Sequence, residues 1–441
     1  MISGNRVAVV RQEPVYSVVG IRASVAQAMD GLRLSWRDVV FPGAKVVLKP
    51  NFIRQSHTHR AGEWEAIITH GSLVEAVARE VAEAMGGEGT ITVADGPQTD
   101  SDCESICARV GIDTLIRALT KDYPRLTCQF VDLRREVWEV RDGVVVQRRR
   151  LADAPGGYTE IDLGRASSLE GKTGPFYGAD YDTRFTQGHH LPGRHRYLLA
   201  RLALDADLFV NLPKLKTHKK VGITISLKNL VGINGDKNYL PHFSMGPPNQ
   251  GGDESPYVGI GAAIRSRSIH AFKQAMIRFP SAGRHLGPLV RRAGAHMFGR
   301  TEAVIRSGNW HGNDTAWRMV LDLNAALFHY DGCGRRRERP AQYLSIVDGI
   351  IAGEGDGPME ADAKPCGLLL AGTNPVAVDL VGATLMGFDW RRIPMIREAF
   401  SLKGLPLVDF LPEDVKAVPE LGKPFQFRPH FGWVGHIEAH P

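Results

Sequence analysis

The chain has 441 residues, of which 43% are hydrophobic and 23% charged, a composition that is typical of a globular protein and excludes a largely disordered one. Its length predicts more than a minimal domain. The formal net charge of +6 favours an acidic small molecule or surface as partner and is too small to predict nucleic-acid binding.

Short apolar runs bounded by glycine, proline or aspartate recur along the chain and predict its strands. They lie at residues 7–10, 45–48, 90–94, 208–212, 344–347 and 368–371. Because β-branched residues and leucine fill these runs without alternating with polar residues, we expect strands that are buried on both faces of a parallel sheet.

Helical patterns separate the predicted strands. In residues 72–85, apolar side chains recur at the spacing of one helix face. Residues 374–386 begin with Asn374 before Pro375, a good capping residue followed by a residue suited to the first helical turn. The alternation of strands and helices predicts an α/β fold, with a mainly parallel sheet flanked by helices and interrupted by inserted segments.

Two regions break this alternation. Residues 120–200 are polar and rich in arginine, glycine and aspartate, which predicts an insertion that is poor in strands or forms a small β unit. Residues 238–337 contain a loop rich in proline and glycine and then a basic helical stretch. We therefore predict one main α/β domain over residues 1–441, with insertions at 120–200 and 238–337.

Several common classes of protein lack support in the sequence. No apolar run has the length of a signal peptide or of a membrane span, so we expect a cytoplasmic protein. The five cysteines form no CxxC pair, so we expect reduced, buried thiols and no iron–sulfur cluster. No GxxxxGK[ST] sequence occurs, and no GxGxxG follows a predicted strand, so the Walker A and Rossmann nucleotide motifs are absent.

The densest functional signal is the segment 211–229, NLPKLKTHKKVGITISLKN. Side chains alternate along an extended chain, which predicts two polar stripes. The first consists of Lys214, Lys216 and His218, and the second of Thr224, Ser226 and Lys228. Ammonium and hydroxyl groups are common ligands of phosphate and carboxylate, so the stripes predict an anion-binding site. The alternative is a solvated strand face with a basic turn.

Polar residues also follow several predicted strands. Lys49 and Asn51 follow one run, Asp95 another and Asp348 a third, while Asn229 begins a glycine-rich segment. Catalytic groups of open α/β sheets gather at the carboxyl ends of strands, so we expect these side chains to meet the lysine-rich segment. The alternative is that each is an ordinary turn residue.

A divalent metal is a second candidate ligand. Its candidate protein ligands are His70, near a predicted helix start, Asp95 and Asp348 at strand ends, and Asp356 in the glycine-rich stretch 348–360. Their spacing matches no standard ligand pattern, so the metal stays unidentified. The alternative for the 348–360 stretch is a plain solvent loop.

Two further features have a functional and a structural interpretation. Arg318 is a candidate anion clamp, or it belongs to a helix that Asp314 caps and in which Asp314, Arg318 and Asp322 are spaced for ion pairing. Residues 265–300 form a basic amphipathic pattern, which suits an anionic membrane surface. The commoner arrangement is a helix packed on the domain with its charged face in water.

The order of these motifs resembles the family called domain of unknown function 362. The resemblance rests on KPN at 49–51, TH at 69–70, ADGP at 94–97, PKLKTH at 213–218, SLKN at 226–229, DG at 348–349, GDGP at 355–358 and NPVAVD at 374–379. It implies an α/β domain and a site formed by Lys49, Asn51, Asp95, Lys214, Lys216, His218, Lys228 and Asn229. It implies no established reaction.

The leading functional hypothesis is an enzyme that acts on a phosphorylated or carboxylated small molecule, in polysaccharide or secondary-metabolite synthesis. The predicted catalytic residues are His218, Asp95, Asp348 and Lys216. The predicted substrate-binding residues are Lys49, Asn51, Lys214, Lys228, Asn229, Thr224, Ser226 and Arg318. The alternatives are a non-catalytic anion- or metal-binding protein or maturation factor, and a scaffold at a membrane surface.

Overall fold

The computed structural model describes residues 4–141, 144–178, 183–258 and 307–439, with a few positions between 261 and 305. The strands are β1 (Arg6–Arg11), β2 (Lys45–Pro50), β3 (Glu88–Asp95), β4 (Arg125–Asp132), β5 (Glu136–Arg141), β6 (Val144–Arg150), β7 (Tyr158–Asp162), β8 (Phe176–Tyr177), β9 (His190–Leu191), β10 (Arg194–Ala200), β11 (Leu208–Leu212), β12 (Lys214–His218), β13 (Gly222–Thr224), β14 (Phe243–Ser244), β15 (Tyr343–Asp356), β16 (Glu360–Gly372) and β17 (Lys416–Val418). The helices are α1 (Val18–Leu32), α2 (Gly71–Ala84), α3 (Cys103–Val110), α4 (Ile112–Asp122), α5 (Thr183–Gln187), α6 (Arg201–Leu204), α7 (Ser226–Asn229), α8 (Ala316–His329), α9 (Pro375–Met386) and α10 (Pro394–Arg397).

A ten-stranded sheet forms the centre of the described chain, in the order β17-β1-β16-β15-β11-β2-β3-β4, with β12 paired to β15 and β13. Strands β15, β11, β2, β3 and β4 run parallel to their neighbours in this series. Strand β16 is antiparallel to both β1 and β15. The predicted fold class is confirmed as an α/β fold with a mixed, mostly parallel sheet.

Both faces of the sheet are buried. In β11, Leu208 and Val210 belong to a core that also contains the apolar side chains of α1, α2 and α4. The intervening Phe209 belongs to the opposite core, which contains those of α8 and α9. Because helices cover the two faces, the strands need no polar alternation, which explains the apolar runs of the sequence.

The six predicted apolar runs all lie within strands, but β15 differs from its prediction. We expected a strand that ends at Asp348 and a loop over 348–360, whereas β15 continues to Asp356 and forms a hairpin with β16. The glycines of this stretch allow close approach of β12, since a Cβ at Gly353 would lie 3.0 Å from the Lys216 Cβ. The predicted loop over 348–360, and with it the alternative of a plain solvent loop, was therefore wrong, because packing requires these glycines.

The predicted helix starts are confirmed at two places. The Asn374 side chain accepts hydrogen bonds from the backbone N–H groups of Val376 and Ala377 at the start of α9. At the start of α2, Nδ1 of His70 accepts a hydrogen bond from the N–H of Ser72. Each cap satisfies backbone donors that the first helical turn leaves without an intrahelical acceptor.

The region 120–200 is divided between the large sheet and smaller units. Residues 125–132 form β4 at one edge of the large sheet, whereas β5 pairs with β6 and β10 pairs with both β7 and β9. In the second predicted insertion, most of the basic segment 265–300 lies outside the described residues. No helix in the described parts of the chain has the length and apolarity needed to cross a membrane.

The five cysteines are free thiols. Cys366 is buried, Cys103, Cys107 and Cys128 are half-buried, and Cys333 is exposed. The prediction that all of them are buried was therefore wrong. Cys333 lies in a turn, where its N–H donates to the Asp331 carboxylate, so the local turn rather than a core places it.

Candidate anion-binding site

Pro213 carries the chain from β11 directly into β12, so the lysine-rich segment begins at the carboxyl edge of the parallel strands. Strand β12 pairs with β15, with Lys214 opposite Asp348. It also pairs with β13, which sets Lys216 opposite Thr224. All residues of β12 are buried. The alternative of a solvated strand face is therefore wrong.

Lys49 and Asp95 form a buried ion pair across the ends of β2 and β3, with 2.7 Å between the amine and Oδ1. Asp95 also accepts the N–H groups of Phe52 at 2.6 Å and Gly96 at 2.8 Å. Burial lowers the pKa of Lys49, and the Asp95 carboxylate opposes that shift. Both partners are already satisfied, so this pair holds two strand ends together.

Lys214 and Asp348 form a second buried ion pair at 2.6 Å. The Tyr16 hydroxyl donates to Asp348 Oδ1 at 2.8 Å, and the His70 N–H donates to Oδ2 at 2.9 Å. The His70 ring stacks on Tyr16, with 3.7 Å between ring centroids. Asp348 thus ties β12, β15 and the start of α2 together, and its oxygens are occupied.

Lys216 is fully buried and differs from Lys49 and Lys214 because it has no acidic partner among the described residues. Its amine donates to Asn51 Oδ1 at 3.3 Å and to the Ile67 carbonyl oxygen. Burial, followed by the charge of Lys214, holds the pKa of Lys216 well below its usual value. A buried amine with only neutral acceptors is suited to an external anion.

His218 ends β12 and is also buried. Its Nδ1 accepts the N–H of Lys220 at 3.0 Å, so a neutral ring carries its proton on Nε2. Burial, followed by the charge of Lys228, holds the pKa of His218 well below its usual value. The group that orients this ring is a backbone N–H from the turn after β12, rather than either of the predicted catalytic acids Asp95 and Asp348.

Lys228 lies on α7, and its side chain is 7% exposed. Its amine has no hydrogen bond and no ion pair with any residue in the described ranges. Burial, followed by the charges of Lys237 and Lys49, lowers the pKa of Lys228 to about 7. Lys228 is therefore a largely buried lysine whose amine has no acceptor in the described ranges, beside other cationic groups.

Asp379, on α9, holds the start of α7 in place. Its Oδ1 accepts the N–H of Ser226 at 2.7 Å and its Oδ2 accepts that of Leu227 at 3.2 Å. Burial raises the pKa of Asp379 to about 8. We did not predict this role, although the position of Asp379 in the NPVAVD motif was an available signal.

The predicted second stripe is divided in the structure. Strand β13 ends at Thr224, whereas Ser226 and Lys228 lie on α7. The Ser226 hydroxyl lies 2.8 Å from that of Ser345, within the fold, and the buried Thr224 hydroxyl has no partner among the described residues. Asn229 supports Lys49, whose amine donates to its Oδ1 at 3.3 Å.

Sequence reasoning missed two members of the cluster, Lys237 and His242. The Lys237 amine donates to the Gly96 carbonyl oxygen at 2.9 Å, and burial lowers its pKa to about 8. Burial, followed by the charge of Lys228, lowers the pKa of His242 to about 3. Both lie shortly after the SLKN motif, Lys237 at the start of a short 3-10 helix over Lys237–Tyr239, in a stretch with no periodic pattern that would have assigned them to the site.

Arg318 is held in place by the protein groups around it. It forms an ion pair with Asp314 at 3.0 Å, donates to the Ser168 carbonyl oxygen at 2.7 Å and lies over the Trp317 ring. These contacts agree with the structural interpretation of Arg318, in which it is a helix residue that forms an ion pair with Asp314. The predicted helix cap was wrong, because Asn313 Oδ1, rather than Asp314, accepts the N–H groups at the start of α8.

Asp322, the third member of the predicted ion-pair series, is buried away from Arg318. It accepts hydrogen bonds from Ser167 and from the Tyr197 hydroxyl. The spacing that suggested an ion-pair ladder therefore produces one ion pair and one buried hydrogen-bond network, because Asp322 faces the core rather than solvent.

The candidate metal ligands do not converge. Within the described ranges, no group of three or more His, Cys, Asp or Glu side chains is arranged to hold a metal ion. Asp95 and Asp348 are paired with lysines, His70 caps α2, and the half-exposed Asp356 lies 3.9 Å from His430. The acids of this region therefore neutralise amines, and cationic groups remain in excess.

The profile of the family described as domain of unknown function (DUF362) matches residues 46–155 and 157–384. The chain belongs to this family. The match covers the two buried ion pairs, the β12 segment, α7 and Asp379, while Tyr16 lies outside it.

Two individual proteins are also similar to the chain. A thylakoid-associated protein of Synechocystis sp. is 25% identical over 220 residues, which are 50% of this chain and 43% of that protein. The match thus spans less than half the length of that relative. A crystal structure of a Thermotoga maritima protein aligns with 81% of this chain and 56% of that one, at 11% identity and a TM-score of 0.36.

Proposed function

We propose that this member of the family binds an anionic small molecule, phosphorylated or carboxylated, and acts on it as an enzyme. One observation carries the proposal: Lys228 is a largely buried residue whose amine has no acceptor among the described residues, and its pKa is lowered to about 7. A buried cation without a counter-charge is costly unless a partner compensates it. A bound anion would supply that partner.

The surroundings of Lys228 favour an anion over a cation. Lys49 and Lys214 each have an acidic partner, whereas Lys216 and Lys228 have none within the described ranges. The excess positive charge attracts an anion, and the dry surroundings strengthen each contact with it. Charge-assisted hydrogen bonds from Lys216 and Lys228 would hold a phosphate or a carboxylate.

The catalytic part of the proposal rests on the groups next to the amine. His218 is neutral near pH 7, because burial and the neighbouring lysines depress its pKa, and its Nε2 carries a proton that it can donate. An amine with a pKa of about 7 gains or loses a proton readily at physiological pH. These residues would supply proton transfer beside a bound anion. A place in polysaccharide or secondary-metabolite synthesis and a cytoplasmic location remain predictions.

Anion binding can be tested with sulfate, which does not titrate in the relevant range, and with acetate as the carboxylate probe. We expect sulfate to raise the melting temperature of the protein below pH 7. Above that pH the affinity should fall by up to about tenfold per pH unit, because the free amine loses its proton. Isothermal titration calorimetry over a pH series measures this dependence.

Matched variants test whether Lys228 supplies the amine that binds sulfate. Lys228→Met should lose sulfate binding, whereas Lys228→Arg should keep it without the decline above pH 7. Lys403→Met, at an exposed position, should behave as the parent protein. Unchanged sulfate affinity in Lys228→Met would refute the proposal, as would a parent protein to which neither anion binds.

A membrane-surface role is a second candidate because a relative of the chain is a thylakoid-associated protein. Flotation with anionic phospholipid vesicles tests it, and we would expect salt to release the protein. Deletion of residues 265–300 should abolish flotation if this basic segment carries the contact. A non-catalytic binding protein would instead bind sulfate in the first experiment without turning over any ligand.

A further inference from the structure

We propose that Lys228 is a nucleophile that forms an imine with the carbonyl carbon of an anionic aldehyde or ketone. The inference rests on the anion site proposed above and names the class of its substrate. Lys228 as a residue is 7% exposed, and its amine has no acceptor among the described residues. A lysine that only stabilised the fold would be expected to use its three N–H donors, as Lys214 does with Asp348, Tyr16 and Ile351.

Two imidazoles close enough for the charge of Lys228 to act on them, His218 and His242, have complementary protonation. Nδ1 of His218 accepts a backbone N–H, so its Nε2 is a donor. Nδ1 of His242 lies 2.8 Å from the carbonyl oxygen of Leu240 and must donate to it, so its Nε2 is an acceptor. Lys228 is the largest charge that acts on each ring. One ring can therefore donate a hydrogen bond and the other can take a proton.

The amine is also in a reactive state. A lysine at its ordinary pKa of about 10.4 is neutral in roughly one molecule in a thousand at pH 7. Burial and the charges of Lys237 and Lys49 lower the pKa of Lys228 to about 7, so a large fraction of the amine has a free lone pair. Desolvation next to another cation is a general way to activate a lysine.

The reaction balances without an oxidant or a reductant. The Lys228 lone pair attacks the carbonyl carbon, a C–N bond forms, and the carbonyl electrons move to oxygen, to which His218 Nε2–H donates a hydrogen bond. His242 takes one proton from the nitrogen and passes it to the oxygen, which gives a neutral carbinolamine. The C–O bond then breaks as the nitrogen lone pair forms the C=N bond, and the second nitrogen proton, again carried by His242, joins the departing hydroxyl group to form water and leaves the neutral imine. Lys216 would hold the phosphate or carboxylate of the same molecule.

Pyridoxal 5′-phosphate, an anionic aldehyde, is a suitable probe for the full-length protein. After brief exposure near pH 7 and reduction with cyanoborohydride, peptide mass spectrometry should find the adduct on Lys228. We expect Lys228 to react at least tenfold faster than the exposed Lys403. Excess sulfate should slow the reaction at Lys228 only, and pyridoxal, which lacks the phosphate, should react there far more slowly.

The controls separate this inference from the anion site. Lys228→Arg keeps the charge but cannot form the imine, so it should bind sulfate and give no adduct at position 228. If sulfate binds the parent protein but Lys228 reacts no faster than Lys403, the imine inference is wrong and the anion site stands. If sulfate neither binds nor slows the labelling, the proposed function fails as well. Labelling of the parent protein requires no substitution, so a variant that fails to fold does not prevent the test.

Discussion

The Lys214 amine lies 2.6 Å from Asp348 Oδ2, and both side chains are fully buried. This contact joins the first residue of the lysine-rich strand to the middle of the neighbouring strand β15. It shows that part of the positive charge of the PKLKTH motif is neutralised within the fold. The structural lysines can therefore be separated from Lys216 and Lys228 by substitution.

Lys214→Met should destabilise the protein by about 3–5 kcal/mol, because it leaves the Asp348 carboxylate buried without its counter-ion. Urea denaturation measures the change in the free energy of unfolding. The double variant Lys214→Met/Asp348→Asn should recover part of the loss, since it removes the uncompensated charge. A loss below about 1 kcal/mol in the single variant would mean that this ion pair contributes no more than one at the surface.

Lys216→Met, unlike Lys214→Met, should affect sulfate binding more than stability. Its stability should change by less than about 1.5 kcal/mol, because the substitution conserves volume approximately and removes an amine that lacks an acidic partner. Sulfate affinity should fall at least tenfold. Thermal denaturation and calorimetry on the same sample test both quantities, with Lys403→Met as control. A large loss of stability with unchanged sulfate affinity would show that Lys216 serves the fold.

Gly232→Ala should disrupt the Lys49–Asp95 ion pair. A Cβ at Gly232 would lie 2.7 Å from the Lys49 Nζ and even closer to Asp95 Oδ1, so one of the two side chains must move. We expect a loss of several kcal/mol or failure to fold, measured as soluble yield and melting temperature. The matched control is Gly62→Ala, where a Cβ meets no atom within 4 Å; its stability should change by less than about 0.5 kcal/mol.

Lys228 should make the stability of the protein depend on pH. Its folded pKa of about 7 lies below the unfolded value of about 10.4, so the unfolded chain binds the proton more tightly between these pH values. Stability should therefore rise with pH in this window, by up to about 1.4 kcal/mol per pH unit from this group. The rise should be smaller in Lys228→Met than in the parent protein.

Urea denaturation of the two proteins at a series of pH values from 7 to 10 provides the comparison. The neighbouring Lys49, Lys237 and Lys216 are present in both proteins, so the difference between the two stability curves reports Lys228 together with its coupling to these groups. Parallel curves across this range would show that the amine has an ordinary pKa in the folded state. The assignment of Lys228 as a reactive amine would then lose its electrostatic basis.

Much of the fold could be predicted because local patterns follow from burial. Apolar runs without alternation predicted the strands, since helices cover both sheet faces. Asn374 before Pro375 predicted the start of α9, because a cap depends on a few adjacent residues. The length of β15 could not be predicted in this way, since glycines that favour a turn locally are required by the approach of β12.

The sequence by itself determined the fold class, the family and the segment that carries the chemistry, because these depend on periodicity and on motifs of adjacent residues. Only the tertiary structure decided which charges remain available. Asp95 and Asp348 are close to their lysine partners in space but far apart from them along the chain. A lone sequence does not reveal such pairs, and the pairing leaves Lys228 as a largely buried lysine whose amine has no acceptor among the described residues.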